Sequence, residues 1–376
     1  MMQKVALLFM ALVVGVLVAG CGGGLQGDIP IGTVLSLTGA GGSAYAGPQQ
    51  QGVQLAVDEI NDSKLLGKAK LKLVVKDDGS TPEGAKAAFL SLINQDKVIA
   101  ILGPTLSGSA KASDPIAQNA RVVVLGVSNT ASGITEMGDF VFRDSLPESV
   151  VQPHTVKAAK ERLGIKRVAI IYTDGDVFSI SSQDAFKTAF LDEGVEVVAV
   201  RSIPEGAADI RRQLDDIKAM NVDAIVITSL VEDVVQVMKQ ARQIGIPDRV
   251  VFIGGNNFNT PRLAELAGPV AEGAISGAAW HAGEATPGNQ AFVLAYRQRY
   301  GEDPDQFAAQ AYTGVYLLAK AIKDAKSIDT TKVRDALAAI RDMDTILGRF
   351  SFSAGREPLH TPVVQIIRNG RVEVFK

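Results

Sequence analysis

Apolar and polar positions alternate along this chain in a regular order. From Ile29 onward, short apolar runs are separated by longer stretches in which apolar side chains recur every three or four positions. The first pattern reads as a buried strand and the second as an amphipathic helix. Ile31 to Leu37, Leu71 to Lys76, Val98 to Leu102 and Val122 to Val127 read as strands. Gln49 to Asn61 and Ser109 to Asn119 read as helices, and Ser80-Thr81-Pro82-Glu83 opens another, with a capping residue and a proline in the first turn.

The order then restarts. Helical patterns over Val150 to Leu163, Ser182 to Glu193, Asp209 to Met220 and Glu232 to Ile244 alternate with strands over Arg167 to Tyr172, Val195 to Arg201, Ala224 to Thr228 and Val250 to Ile253. Three further helical patterns follow: Asn289 to Tyr300, Gln306 to Ala325 and Thr330 to Arg341. Two strand-like pieces close the chain, Arg349 to Phe352 and Val363 to Phe375, the second folded around Asn369-Gly370. Such alternation predicts an α/β fold with parallel sheets covered by helices on both faces. The late helices need a sheet to cover, so the chain is expected to return to the first lobe and finish in the second. Closely spaced crossovers of that kind make a hinge.

Composition narrows the function. The 376 residues suffice for two domains. Net charge is −3 with both signs interspersed, and no basic stripe is present, so nucleic acid is not an expected partner. The three histidines, His154, His281 and His360, are scattered, and Cys21 is the single cysteine. No internal disulfide can form, and neither a metal site nor a cofactor is expected.

Residues 1–20 read as a secretory signal. Lys4 supplies the positive end, Val5 to Val18 the apolar run, and Ala19-Gly20 the small residues before Cys21. The apolar run falls short of the roughly 20 residues of a membrane span. Val18-Ala19-Gly20-Cys21 resembles the bacterial lipobox, which implies cleavage before Cys21 and its lipidation. Residues 21–27, with Gly22-Gly23-Gly24, then read as a flexible tether.

Catalytic signatures are missing: the chain has no G-x-S-x-G, H-E-x-x-H, Walker or EF-hand pattern. Gly39-Ala-Gly41-Gly-Ser-Ala44 fits a loose dinucleotide loop. Its helix is expected to begin only near Pro48, and Asp77 lies about 35 residues beyond the loop instead of about 20. The loop reads better as a rim carrying Tyr45. Two strand-to-helix turns, Gly103 to Ser109 and Ser128 to Ser132, fall at carboxyl ends of parallel strands, where open α/β sheets bind ligands. Their hydroxyls and free N–H groups suit a carboxylate. Either turn alone reads equally as ordinary helix capping.

The order of Ile31-Gly-Thr-Val-Leu-Ser-Leu-Thr-Gly39, Gly52-Val-Gln-Leu-Ala-Val-Asp-Glu-Ile-Asn61, Asp77-Asp78, Gly103-Pro104 through Ser107, Ala117 through Thr130, Val168-Ala-Ile-Ile-Tyr172 and Ala271-Glu272-Gly273 resembles the branched-chain amino-acid binding protein family, the type I periplasmic binding proteins of ABC importers. The resemblance runs from about Ile31 to the C-terminus. It implies two doubly wound lobes joined by three crossovers, with residues 28–148 and 279–348 in lobe 1 and residues 149–278 and 349–376 in lobe 2. It further implies a monomeric, non-enzymatic binder that closes on a small carboxylate such as an amino acid and delivers it to a membrane permease. A sensing subunit of a receptor, or a binder of an aromatic acid or small amide, are the alternatives within the same fold.

By the same resemblance, Ser107, Ser128 and Thr130 match positions that hold the ligand carboxylate, Tyr45 a rim aromatic, and Phe178 and Leu230 second-lobe contacts. Asn256 stands where the branched-chain binders place a glutamate for the ligand ammonium. Asp174, Asp176, Glu232 and Asp233 are the nearby acids that could replace that charge.

Overall fold

The computed structural model describes residues 25–376. The readings of a signal, of a lipidated Cys21 and of most of the tether fall outside them.

The first lobe opens with strand β1 (Gln26–Leu35), helix α1 (Ser43–Asp62), β2 (Lys68–Asp77), α2 (Pro82–Asn94), β3 (Ala100–Leu102), α3 (Ser107–Ala120), β4 (Val123–Gly126) and β5 (Val141–Arg143). The five strands form one parallel sheet in the order β2-β1-β3-β4-β5. Every residue of β3, β4 and β5 is buried, as expected of a sheet covered on both faces. Helix α2 begins where its capping residue predicts. Thr81 accepts the Gly84 N–H at 3.0 Å, and Pro82 occupies the first turn, where a missing N–H costs nothing.

The second lobe runs through α4 (Glu148–Leu163), β6 (Arg167–Thr173), α5 (Val177–Asp192), β7 (Glu196–Ile203), α6 (Arg211–Lys218), β8 (Ala224–Ile227), α7 (Val231–Gln243), β9 (Val251–Gly254), α8 (Pro261–Ala267) and β10 (Ile275–Ala278). The chain then returns to the first lobe through α9 (Asn289–Tyr300), α10 (Gln306–Ala325) and α11 (Thr330–Ala338). A small sheet follows, β11 (Met343–Thr345), β12 (Gly348–Phe352) and β13 (Pro358–Leu359). The hairpin β14 (Val363–Arg368) and β15 (Arg371–Val374) completes the second sheet, whose order is β15-β14-β10-β9-β8-β6-β7. Its β14 and β15 are antiparallel additions to a parallel core.

The chain thus crosses between lobes three times, at residues 144–147, 279–288 and 360–362. The last crossover differs from the expected boundary at residue 349. Strand β12 pairs with β11 and β13, not with the second sheet. Phe350 and Phe352 are fully buried in the core shared by Ile29, Leu102, Phe142 and the α10 residues Val315 and Leu318. Phe352 packs edge-on against Phe142 at 5.3 Å and Phe350 at 4.9 Å. Each such ring contributes about 1.5–3 kcal/mol of burial to the first-lobe core.

One ion pair fixes the segment before that crossover. Arg143 at the end of β5 is 2% exposed and grips Glu357 with two bonds, Nε to Oε2 at 2.6 Å and Nη2 to Oε1 at 2.7 Å. Its remaining nitrogen donates to the carbonyls of Asn129 and Ala131. A buried guanidinium deprived of its carboxylate is expensive, on the order of 3–5 kcal/mol. Glu357→Ala is therefore expected to lower the unfolding free energy by about 3 kcal/mol in urea titration, and a loss under about 1 kcal/mol would contradict this role.

Candidate functional site

Turns at the carboxyl ends of strands from both sheets meet between the lobes. In the first lobe, β3 ends at Leu102 and the chain turns through Gly103, Pro104 and Thr105 into α3. Gly103 has φ +106°, and a side chain there would run into the Val34 carbonyl, so glycine is required for the turn. The Thr105 hydroxyl ties this turn down. It donates to Gln49 Oε1 at 2.7 Å and accepts the Ser36 N–H at 3.1 Å. The turn after β4 lies alongside: Ser128 Oγ donates to the Thr105 carbonyl at 2.6 Å, and Ser107 Oγ accepts the Ala131 N–H at 3.3 Å. Serine hydroxyls thus weld the two turns into one surface, with the first N–H groups of α3 unpaired within the helix.

The second lobe contributes the turns after β8 and β9 and the start of α5. Leu230 is the residue before α7, Phe178 lies in the first turn of α5, and Asn256 opens a short 3₁₀ turn after β9. Tyr45, Ser107, Ser128, Phe178, Leu230 and Asn256 line one narrow cavity of about 20 Å³ together with Thr105, Leu106, Asn257 and Phe307. Six of the seven residues expected from sequence therefore share one wall system drawn from both lobes.

Thr130 is the exception. It is buried, but its hydroxyl donates to Glu148 Oε1 at 3.0 Å and does not line the cavity. Tyr45 is also placed differently from a mobile rim. Helix α1 begins at Ser43, not near Pro48, so Tyr45 falls in its first turn and is 3% exposed. The two glycines with positive φ, Gly39 and Gly41, complete the turn before it, and Pro48 is accommodated inside the helix. The Tyr45 ring packs on Phe307 at 4.8 Å and belongs with it to the apolar cluster of the second lobe. Its hydroxyl accepts the Val231 N–H at 3.0 Å and donates to the Asn257 carbonyl at 3.4 Å. A first-lobe tyrosine thereby satisfies the N-terminus of a second-lobe helix.

Asn256 spans the lobes in the other direction. Its Nδ2 donates to the Ser128 carbonyl at 3.1 Å, and its Oδ1 accepts from Gln306 Nε2. Ser132 N donates to Ser181 Oγ at 2.8 Å nearer the surface. These bonds hold the two lobes together across the cavity.

The electrostatics are one-sided. Burial, with Glu232, Asp176 and Asp233 nearby, pushes the Tyr45 phenol upward, so it stays a neutral donor. Of the four acids flagged in the sequence, Asp174 and Glu232 are exposed. Asp176 caps α5 by accepting the Ser179 N–H at 2.7 Å, and Asp233 accepts from Gly206 N and Thr173 Oγ1. Burial raises both carboxyls, Asp176 to about 6. Among the described residues no cluster of three or more His, Cys, Asp or Glu could hold a metal ion.

Sequence reasoning missed Phe307, Thr105, Leu106 and Asn257. Phe307 follows the cap Asp305 at the start of α10 and reads there as one more core residue of a covering helix. Glu148 was missed too. It is 1% exposed at the start of α4, and its sequence context resembles any acidic helix start.

Asp176 gives this half of the site a pH signature. Its carboxyl stays protonated in the fold up to about pH 6 but ionises near 3.8 when unfolded. The native form binds the extra proton between those values, so stability from this group is full below pH 4 and is lost as pH rises through 6. Asparagine also caps helices. Asp176→Asn is expected to raise the unfolding free energy at pH 7 by about 1–3 kcal/mol, with no gain at pH 4. Equal effects at both pH values would exclude this account.

The chain matches the family described as "Periplasmic binding protein" over residues 28–369. A leucine-, isoleucine-, valine-, threonine- and alanine-binding protein of Pseudomonas aeruginosa is 26% identical over 309 residues, which cover 82% of this chain and 81% of the relative. The crystal structure of the leucine binding protein LivK of Thermotoga maritima superposes with a TM-score of 0.86 at 27% identity, covering 92% of this chain and 97% of that one. The branched-chain amino acid transporter substrate binding protein LivJ of Streptococcus pneumoniae, solved with isoleucine, gives 0.86 at 29% identity, covering 92% of this chain and 98% of its own.

Proposed function

This chain belongs to the periplasmic binding protein family, and from that membership we propose that it is the solute-binding lipoprotein of an ABC importer, capturing an amino acid or similar small carboxylate. The observation that carries the reading is the cavity itself. Turns from two lobes converge on it, with hydroxyls on the first lobe and apolar side chains, Phe178 and Leu230, on the second. Two similar proteins of known structure bear leucine-binding and branched-chain amino acid transporter names.

Such an arrangement works by closure. A ligand held at the first-lobe turns completes its contacts only when the second lobe arrives, so it favours the closed form by its differential affinity for the two states. The Ser107 and Ser128 turns offer N–H groups and the Ser107 hydroxyl proton to an anion, while Tyr45, Phe178, Leu230 and Phe307 form the apolar wall for an aliphatic body, which enters when the lobes part and widen a cavity that now has room for about one water. A membrane permease then takes the ligand from the closed monomer. Lipidation at Cys21 keeps the protein at the membrane face. Among the described residues no helix is long and apolar enough to cross a membrane.

Thermal unfolding with added ligand tests the central statement. L-Leucine and L-isoleucine at a hundredfold excess over Kd are expected to stabilise the protein by about 2.7 kcal/mol, and leucinamide, which lacks the carboxylate, by far less. If neither amino acid shifts the melting temperature, the amino-acid reading is wrong. If leucinamide shifts it equally, the carboxylate cradle is wrong.

Anchoring has its own test. Cys21→Ser is expected to move the protein from the membrane pellet to the soluble fraction. A variant that remains in the pellet with its signal removed would refute lipidation.

A further inference from the structure

Glu148 stands at the first crossover between the lobes, and its carboxylate has four donors. Oε1 accepts Thr130 Oγ1 at 3.0 Å and the Asn256 N–H at 3.3 Å. Oε2 accepts Ser182 Oγ at 2.9 Å and the Gln152 side chain. Gly255 makes room for it, because a methyl at that position would strike both the Glu148 carboxylate and the Gln152 amide. Thr130 belongs to the first lobe, whereas Ser182 and Asn256 belong to the second.

All four donors are neutral. Among the described residues no lysine, arginine or histidine forms an ion pair with Glu148, although it is 1% exposed. Burial accordingly raises its pKa, and the four hydrogen bonds only partly oppose this. A buried carboxylate without a cation is costly, and a cation arriving with a ligand would relieve that cost.

Position decides which ligand group this is. Asn256 is common to the lining of the Tyr45 cavity and of a second, smaller cavity walled by Glu148, Val151, Gln306 and Gln310. In an α-amino acid the ammonium and the carboxylate share one carbon. A carboxylate held at the Ser107 and Ser128 turns therefore brings the ammonium to the neighbouring Thr130 and Asn256, where Glu148 is already hydrogen-bonded. Of the acids flagged in the sequence, Asp176 and Asp233 already accept hydrogen bonds within their own lobe, and Asp174 and Glu232 are exposed.

We propose that Glu148 is the counter-ion for the ammonium group of the ligand, and so the residue that selects α-amino acids over amine-free carboxylates. The proposal rests on the amino-acid reading above. Asn256 supplies a neutral amide at that end of the cavity and cannot balance a cation. The acid comes instead from the hinge, within the stretch of chain through which the lobes close.

Isothermal titration with L-leucine and with its 2-oxo analogue, 4-methyl-2-oxopentanoate, provides the test on the wild type and Glu148→Gln. Wild type is expected to prefer leucine. The glutamine variant is expected to bind leucine about ten- to a hundredfold more weakly, the range set by losing a hydrogen bond to a charged group, with the 2-oxo acid weakened less than about threefold. A merely structural role would weaken both ligands together, and that result overturns the proposal, as does unchanged leucine binding. Should the glutamine variant fail to fold, Glu148→Asp keeps the charge but withdraws it by one methylene. It is expected to lower the leucine preference in the same direction, and an unaltered preference counts against the proposal. Wild type that binds the 2-oxo acid as tightly as leucine overturns the proposal and leaves the carboxylate cradle standing. Wild type that binds neither overturns the amino-acid reading itself.

Discussion

Parallel strands impose the constraint from which the rest of this molecule follows. A parallel strand cannot be reached by a tight turn, so each one requires a crossover, and all strands of a sheet then end on the same edge. In both lobes those carboxyl edges face the gap between them. Leu102, Gly126, Ile227 and Gly254 each close a strand, and each is followed within a few residues by a side chain of the cavity. The site is thus a by-product of sheet topology, furnished by whichever residues occupy the turns.

Much of what joins the lobes is polar. Tyr45 enters the apolar cluster of the second lobe but brings a hydroxyl that completes the end of α7. Asn256 reaches back to the Ser128 carbonyl and to Gln306. Thr130 reaches Glu148. Each neutral bond is worth about 1 kcal/mol net, and the one to the Glu148 carboxylate about 1.5–3 kcal/mol, because water competes for the same groups when the lobes part. Contacts of that size suit a clamshell, since they orient the closed form without making it irreversible. The rigid side of the device lies elsewhere, in the Arg143–Glu357 pair, which also holds the carbonyls of the Ser128 loop.

Local pattern and tertiary demand disagree in a few places. The Gly39 to Gly42 turn made Pro48 look like the start of α1, yet the helix begins at Ser43 and carries Tyr45 inward. A proline suits a first turn on propensity alone, but burial of the Tyr45 ring against Phe307 outweighs that preference. Residues 349–352 read as a closing strand-like piece that goes with the second lobe, where the chain is expected to finish. Their two phenylalanines instead complete the first-lobe core. Strands β5 (Val-Phe-Arg) and β10 (Ile-Ser-Gly-Ala) lack the continuous apolar run that marks the equally short β3, β4, β8 and β9, so they left no clear trace in the sequence.

Phe178, Leu230 and Asn256 are named only through the family resemblance, whereas the sequence by itself determined the two-lobed α/β character, the order of nearly all the longer elements and the turns that carry Ser107 and Ser128. These properties are local or periodic: burial on both sheet faces writes continuous apolar runs, and the turns need their glycines, prolines and hydroxyls wherever the chain is folded. Tertiary structure alone decided that Thr130 faces a carboxylate instead of the cavity, that Tyr45 is buried, and that Glu148 joins Thr130, Ser182 and Asn256. The separations explain why. Glu148 meets Asn256 across 108 positions of sequence, and Tyr45 meets Val231 across 186. No periodicity reports a contact of that range, because it exists only once two separately formed sheets have been brought edge to edge by the three crossovers.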